Sequence, residues 1–143
     1  MRPEETLDYH IKSSWLSISK MYNQIAAKYD MTQAVGFTLL MLDEKLGTFS
    51  TKIGPQLGME ATSMTRLLKS MEKDGLIVKE SDEHDKRKVR ICLTEKGREK
   101  RKVAKSVVKK FNKKILEELS EQEFETFKGV INKVQMIVDE YKS

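Results

Sequence analysis

The chain has 143 residues, a hydrophobic content of 38% and a formal net charge of +5. This length suits one domain with a real core, so we predict a single domain over residues 1–143. One cysteine excludes an intramolecular disulfide framework and a zinc site built from several thiolates. We therefore expect no metal and no cofactor.

No apolar stretch approaches the roughly 20 residues that a bilayer-spanning helix needs, so we expect no membrane span. The N-terminal residues 1–5 include acids and no apolar run, unlike a secretory signal. We expect the protein to be cytoplasmic.

The positive charge is concentrated in the middle of the chain. Residues 60–114 hold 18 basic and 9 acidic side chains, whereas residues 115–143 hold 3 and 7. Residues 1–59 are balanced, with 6 of each sign. This distribution favours a protein whose middle region faces a polyanion and whose two ends serve another purpose.

Two helices are predicted in the first third of the chain. Apolar residues recur at steps of three and four over about residues 7–29, which is the stripe of an amphipathic helix. Asp30 or Thr32 can cap a second helix that runs to Leu46 and stops at Gly47. This second helix is apolar nearly all round, so we expect it to be buried.

A short helix, a tight turn and a longer helix come next. The short helix begins at Ser50 or Thr51 and stops at Gly58, and the longer one covers residues 60–74. In the longer helix the positions Ala61, Met64, Leu67, Leu68 and Met71 form the apolar stripe that seats it on the core. This arrangement predicts a helix-turn-helix.

A two-stranded hairpin is predicted directly after it. Residues 76–80 and 89–93 have strand composition, and the charged loop 81–88 between them would form a wing. Alternation along the second strand places Val89, Ile91 and Leu93 on one face. Helix-turn-helix and hairpin together predict a winged helix-turn-helix over about residues 33–95.

Two long helices complete the chain. The first opens at Thr94-Glu95-Lys96-Gly97, and Ser120 with Glu123 forms a capping box at the start of the second. The predicted fold class is mainly α with a small two-stranded hairpin (α+β). The ten basic residues of the segment 96–114 favour a solvated helix face, with phosphate contact at its start as the alternative.

The outward face of the helix 60–74 has chemistry that suits the DNA major groove. Arginine can bond guanine, small hydroxyls can bond base edges or phosphates, and lysine neutralises phosphate. The residues predicted to bind DNA on this face are Thr62, Ser63, Thr65, Arg66 and Lys69. The alternative is an ordinary solvated surface, the commonest fate of charged side chains.

The predicted wing presents three consecutive basic residues, Lys86, Arg87 and Lys88, to the same partner. A narrow minor groove attracts an inserted arginine, and Arg87 would extend from the tip. Asp85 can hold a neighbouring arginine and so orient the wing.

Motifs in this region resemble those of the MarR family of bacterial regulators. They are Leu57-Gly58-Met59 through Gly75-Leu76-Ile77, then Asp85-Lys86-Arg87, then Leu93-Thr94-Glu95-Lys96-Gly97. The resemblance implies a single MarR-type domain that works as a homodimer. The recognition helix 60–74 would enter the major groove, and Arg87 would enter the minor groove.

The resemblance assigns dimerisation to residues 1–29 and 96–143. Their apolar stripes agree, because the winged core offers only one covering surface and self-association buries the remainder. Two-fold symmetry predicts a pseudo-palindromic double-stranded operator with half-sites about 10 base pairs apart. Repression relieved by a small-molecule ligand is the family default.

Two further sites are weighed against plain structural roles. Family members often bind small aromatic or phenolic ligands between the dimer helices and the winged domain. His10, Trp15 and Tyr22 on the first helix could line such a pocket. The alternative is that they are core residues, the more common role of an aromatic stripe. Cys92 lies near Arg90, which could lower the pKa of its thiol, although a lone cysteine is usually a small buried hydrophobe.

Three other functional classes compete with a regulator. An enzyme is disfavoured because the two histidines are far apart and no nucleophile motif or phosphate-binding glycine loop is present. A nonspecific architectural DNA-binding protein and a winged-helix protein-docking module both stay open. Sequence-specific binding with a steep salt dependence would separate a regulator from both.

Overall fold

The computed structural model describes the whole chain from Met1 to Ser143. It contains six helices and three short strands. A 3₁₀ turn at Pro3–Glu5 precedes the first helix. In chain order the elements are α1 (Leu7–Ala27), α2 (Gln33–Met41), β1 (Thr48–Phe49), α3 (Ser50–Leu57), α4 (Ala61–Lys73), β2 (Ile77–Ser81), β3 (Val89–Leu93), α5 (Glu95–Glu118) and α6 (Glu121–Lys142). The predicted mainly helical class is confirmed.

The helix α2 is shorter than predicted. Thr32 caps its start by accepting a hydrogen bond from the Val35 amide at 3.2 Å, as expected. The helix ends at Met41, because Asp43 accepts the amides of Lys45 and Leu46 at 2.9 and 2.8 Å and closes a turn. The extension of this helix to Leu46 was wrong, and the Leu46 side chain is 71% exposed.

The sheet has three antiparallel strands in the order β1-β3-β2, rather than the two predicted. The hairpin pairs Ile77 with Leu93 and Ser81 with Val89. On its other edge β3 pairs with β1, where Phe49 lies opposite Arg90. The strand β1 was not predicted, because two residues are too few to show a period-two pattern.

The helix-turn-helix consists of α3 and α4. Gly58 ends α3 in the left-handed conformation, with φ of +65°, which glycine adopts without steric cost. The Met59 amide then bonds the Gly54 carbonyl at 3.1 Å and closes the turn. On α4 the stripe of Met64, Leu68 and Met71 is buried as predicted, but Ala61 is exposed, contrary to prediction.

The core lies where α2, α3, α4 and the sheet meet. Its fully buried side chains are Leu39, Leu42, Ile53, Met71, Ile77 and Ile91. Close packing of these side chains fixes the positions of α4 and the hairpin, because interiors leave few voids larger than a water molecule.

The start of α5 is tied to this core by close backbone contact. The Thr94 hydroxyl donates to the Gly75 carbonyl at 2.6 Å and accepts the Gly97 amide at 3.0 Å. A Cβ atom at Gly97 would lie 2.0 Å from the Leu76 carbonyl oxygen. Only glycine therefore fits at this position.

The chain divides into two compact units, Met1–Ser106 and Val107–Ser143. In the second unit Ser120 and Glu123 form the predicted capping box, with bonds of 2.9 and 3.1 Å. Its large exposed apolar side chains are Leu116, Leu119, Phe127, Val130, Met136, Ile137, Val138 and Tyr141. In the first unit the corresponding set on α1 is Leu7, Tyr9, Ile11, Trp15 and Leu16. None of the helices is long and apolar enough to cross a membrane.

Candidate nucleic-acid interface

The outward face of α4 presents the polar residues that the sequence singled out. Met64, Leu68 and Met71 anchor the opposite face in the core. With 3.6 residues per turn, this leaves the other side of the helix in solvent. The exposed residues are Thr62, Ser63, Thr65, Arg66 and Lys69.

One of these hydroxyls is already engaged by its own helix. The Thr65 Oγ1 donates to the Ala61 carbonyl at 2.9 Å. Its oxygen keeps lone pairs that can accept a hydrogen bond, for example from an exocyclic amino group of adenine or cytosine. Arg66 can bond both O6 and N7 of guanine.

The wing tip holds Arg87 through Asp85. The Asp85 Oδ1 accepts the Arg87 amide at 3.1 Å and the Arg87 Nε at 3.3 Å. The Arg87 side chain is nevertheless 91% exposed. The expected contact of Asp85 with a neighbouring arginine is present, and the arginine it holds is the one at the tip.

A second ion pair at the base of the wing was not predicted. The Arg90 Nη2 donates to Asp82 Oδ1 at 3.1 Å, and the other oxygen of Asp82 accepts the amides of His84 and Asp85. The hydrogen bond from Arg90 is the main cause that lowers the pKa of Asp82. The sequence pattern offered no link between Arg90 and Asp82, because the hairpin register pairs Arg90 with Glu80 and Asp82 lies just beyond the paired residues.

Three cations surround one aromatic ring beside the wing. Arg90 Cζ lies 4.3 Å from the centre of the Phe49 ring, and the Nζ atoms of Lys88 and Lys52 lie at 5.2 and 6.0 Å. These distances suit cation–π attraction. Lys88 thus lies near the Phe49 ring of β1, and it is exposed, as are Lys86 and Arg87 at the tip.

The environment of Cys92 opposes the thiolate form. Burial raises the pKa of the Cys92 thiol, and the Glu80 carboxylate, 3.6 Å from its Sγ, raises it further. Arg90 acts in the opposite direction but is the weakest of these influences. Arg90 does lower this pKa, as expected, but burial and the Glu80 carboxylate outweigh it.

Two of the three candidate ligand residues share a cluster between α1 and α2. Trp15 stacks on Phe37 with ring centres 6.2 Å apart, and Tyr22 meets the same ring edge-on at 5.8 Å. His10 instead bonds the Glu4 carbonyl at 2.8 Å. Phe37 on α2, which was not among the candidate ligand residues, is the ring that joins Trp15 and Tyr22.

The class of this protein follows from the fold and the polar face together: it is a winged helix-turn-helix transcriptional regulator. The family described as "Transcriptional regulator SarA/Rot" matches residues 20–104. The HTH-type transcriptional regulator SarZ of Staphylococcus aureus is 32% identical over 124 residues, which cover 85% of this chain and 78% of SarZ. The chain belongs to the SarA/Rot family of transcriptional regulators.

A second relative is the organic hydroperoxide resistance transcriptional regulator of Bacillus subtilis. It is 34% identical over 97 residues, which cover 68% of this chain and 66% of that protein. Both relatives are named as transcriptional regulators, which agrees with the class drawn from the fold.

Solved structures share the fold over nearly the whole chain. A Staphylococcus aureus MepR–DNA complex superposes with a TM-score of 0.83 at 24% identity, covering 92% of this chain and 97% of MepR. Rhodococcus jostii CouR bound to p-coumaroyl-CoA gives 0.80 at 17% identity, covering 94% of each chain. The fold that the MarR-family resemblance implied is confirmed.

Proposed function

We propose that this chain is a homodimeric regulator that binds a specific double-stranded DNA operator. The observation that carries the proposal is the outward face of α4, where five polar residues are exposed while the opposite stripe is locked in the core. A helix held in this way can enter a major groove without losing its packing. The chain's likeness to MepR, solved as a DNA complex, supports the same reading.

The proposed DNA contacts fall into two groups: those that read the bases and those that position the protein on the backbone. Arg66 and the hydroxyls of Thr62, Ser63 and Thr65 would contact base edges, and Lys69 would neutralise phosphate. On the wing, Arg87 would enter a narrow minor groove, with Lys86 and Lys88 near the backbone. Asp85 would orient Arg87 through the two bonds described above.

Homodimer formation accounts for the exposed apolar side chains of α6 and for those of α1 other than Trp15. A soluble monomer rarely exposes large contiguous apolar patches, and a two-fold interface buries the same patch on both subunits. Two recognition helices related by a two-fold axis would read a pseudo-palindrome with half-sites about 10 base pairs apart. A regulator of this kind works where the genomic DNA is, in the cytoplasm.

We further propose that the regulator is a repressor relieved by a small aromatic or phenolic ligand. The Trp15 side chain is 49% exposed while one face stacks on Phe37, so its open face can stack on a planar ligand. CouR, solved with p-coumaroyl-CoA, shares the fold. Trp15 is the only tryptophan, so its fluorescence reports directly on a ligand at this place.

We infer no catalytic role, because the conspicuous polar groups form the α4 face and the wing rather than a nucleophile with a base. An architectural protein and a protein-docking module remain the alternatives. Neither needs side chains suited to base edges along α4.

The experiment is an anisotropy titration against a labelled duplex from the DNA upstream of the protein's own gene. It is run at two salt concentrations, with a scrambled duplex as competitor. A specific regulator binds tightly, resists the competitor and loses affinity steeply with salt. Equal affinity for both duplexes would indicate an architectural protein, and no binding to either would favour protein docking.

A further inference from the structure

The wing tip is connected to the helix-turn-helix by one arginine side chain. Arg90 lies on β3, the central strand, with β1 on one side and β2 on the other. Its register partners are Phe49 on β1 and Glu80 on β2. A side chain at this position can therefore reach both edges of the sheet.

Arg90 uses this position to contact three separate segments. Nη1 donates to the Leu46 carbonyl at 3.2 Å, in the turn before β1. Nη2 donates to Asp82 at 3.1 Å, where the wing leaves β2. The planar group also lies over Phe49, the N-cap residue of α3. Arginine suits such a site because one rigid fork can bond two acceptors and stack at once.

The contacts continue from Asp82 into the wing tip. Asp82 Oδ2 accepts the amides of His84 and Asp85 at 3.3 and 3.0 Å. Asp85 in turn accepts the amide and the Nε of Arg87. A continuous series of hydrogen bonds thus runs from the Leu46 carbonyl, in the turn before β1, through Arg90 to the tip arginine.

Burial distinguishes this pair from the other ion pairs of the wing. The side chains of Arg90 and Asp82 are 30% and 11% exposed, whereas that of Arg87 is 91% exposed. Exposed ion pairs contribute little, because solvent screens them and long side chains lose entropy. A partly buried pair with further hydrogen bonds holds one geometry more firmly.

We propose that Arg90 and Asp82 are positioning residues for DNA binding, which set the place of Arg87 relative to the recognition helix. This inference rests on the proposed function. Arg90 acts through Arg87 and makes no DNA contact of its own. The register of the wing with the minor groove is therefore fixed inside the protein before DNA binds, which lowers the ordering cost of association.

The test is a double-mutant cycle between Arg90→Gln and Arg87→Ala, measured on the full chain with the upstream duplex. Alone, Arg90→Gln should weaken binding by about tenfold, within the range for one groove contact. In the Arg87→Ala background it should weaken binding by less than about threefold, because the residue it positions is gone. Asp82→Asn should behave in the same way, and Arg90→Lys should rescue only partly because an ammonium lacks the planar fork.

The salt dependence separates positioning from direct contact. Log affinity falls with log salt, and each lost phosphate contact makes this slope less steep by about 0.9. The slope of Arg90→Gln should equal that of the original protein. A slope reduced by about 0.9 would overturn the inference, since Arg90 would then touch phosphate.

Arg101→Gln is the matched control. Arg101 also donates to a backbone carbonyl, that of Leu39 at 3.1 Å, and pairs with the carboxylate of Glu44, but it has no bond to the wing. Its substitution should lower the melting temperature without any coupling to Arg87→Ala. If the losses of DNA affinity in Arg90→Gln and Arg87→Ala are simply additive in the double mutant, this inference is overturned, but the proposed function is not. Unchanged affinity in Arg87→Ala itself would overturn both this inference and the proposed role of the wing.

Discussion

Arg87 combines high exposure with a fixed orientation. Asp85 holds its amide and its Nε, yet the side chain contributes no buried surface to the winged domain. A residue of this kind adds little to folding, since exposed ion pairs are worth about 0 to 1 kcal/mol. This combination suits the DNA contact that we propose for Arg87.

We expect Arg87→Ala to weaken operator binding by about 1 to 3 kcal/mol, the range of one good groove contact. The melting temperature should stay unchanged, because the side chain is exposed. Anisotropy titration and thermal unfolding check the two parts. Arg2→Ala removes another exposed arginine and serves as the control. An unaltered affinity for Arg87→Ala would remove the wing from the mechanism.

Cys92 should be a slow nucleophile at neutral pH. Burial and Glu80 raise the pKa of its thiol, so the reactive thiolate is scarcer than in an ordinary cysteine. We expect iodoacetamide to alkylate Cys92 more slowly than it alkylates glutathione at the same pH. Glu80→Gln should speed the reaction by removing a negative charge. Faster alkylation of Cys92 than of glutathione would instead favour a redox role.

At the scale of elements, the start of α5 packs against the residues just before β2 through close backbone contact. Gly97 lies in the first turns of α5, where its missing side chain lets the helix approach the Leu76 carbonyl. Thr94 bonds both sides of this junction. The close approach of the first turns of α5 to this carbonyl therefore depends on a residue without a Cβ atom.

Gly97→Ala should destabilise the protein by about 1 to 3 kcal/mol, as overpacking does. Glycine to alanine in an open helix has the opposite effect, a gain of about 1 kcal/mol. Gly129→Ala on α6 is the control, since a Cβ there meets no atom within 4 Å. Urea unfolding measures both variants. A stabilised Gly97→Ala would contradict the close contact.

Long periodic elements and standard caps were predictable from sequence, whereas a helix end set by a competing local turn was not. The capping box of Ser120 and Glu123 and the strand 89–93 were found where predicted. The end of α2 was not, because the turn at Asp43 competes with the helix and apolar periodicity cannot show it.

The parts of the candidate site that follow from periodicity or from local contacts were likewise predictable from sequence. Exposure of the α4 face follows from helical periodicity, and the Asp85 contact with Arg87 is local in sequence. The Arg90 contacts with Leu46 and Phe49 join segments about 40 residues apart, and β1 carries no signal of its own. Only the folded chain brings these groups together.

At the scale of the whole molecule, basic charge and exposed apolar side chains are concentrated in different parts of the sequence. Basic residues dominate 60–114, which include α4 and the wing, whereas exposed apolar side chains are numerous on α1 and α6. This separation suits a protein that meets DNA with one region and its own copy with another.

We expect the protein in solution to have twice its 16.6 kDa chain mass. Ile137, 54% exposed on α6, should become buried in that dimer. Ile137→Glu should therefore shift the mass toward the monomer and weaken operator binding, because half-sites would no longer be bound together. Light scattering after size exclusion checks the mass. Asn132→Glu adds the same charge to α6 at a polar position and should leave the dimer intact, and a dimeric Ile137→Glu would contradict the assignment of this face.

The most direct test of sequence-specific binding is selection of duplexes by the full chain from a pool of random sequence. The selection needs no knowledge of the operator, and Arg66→Ala is carried through in parallel. We predict enrichment of one pseudo-palindrome with half-sites about 10 base pairs apart, and a relaxed preference at one position for the variant. A selected pool no different from the starting pool would contradict sequence-specific recognition by α4.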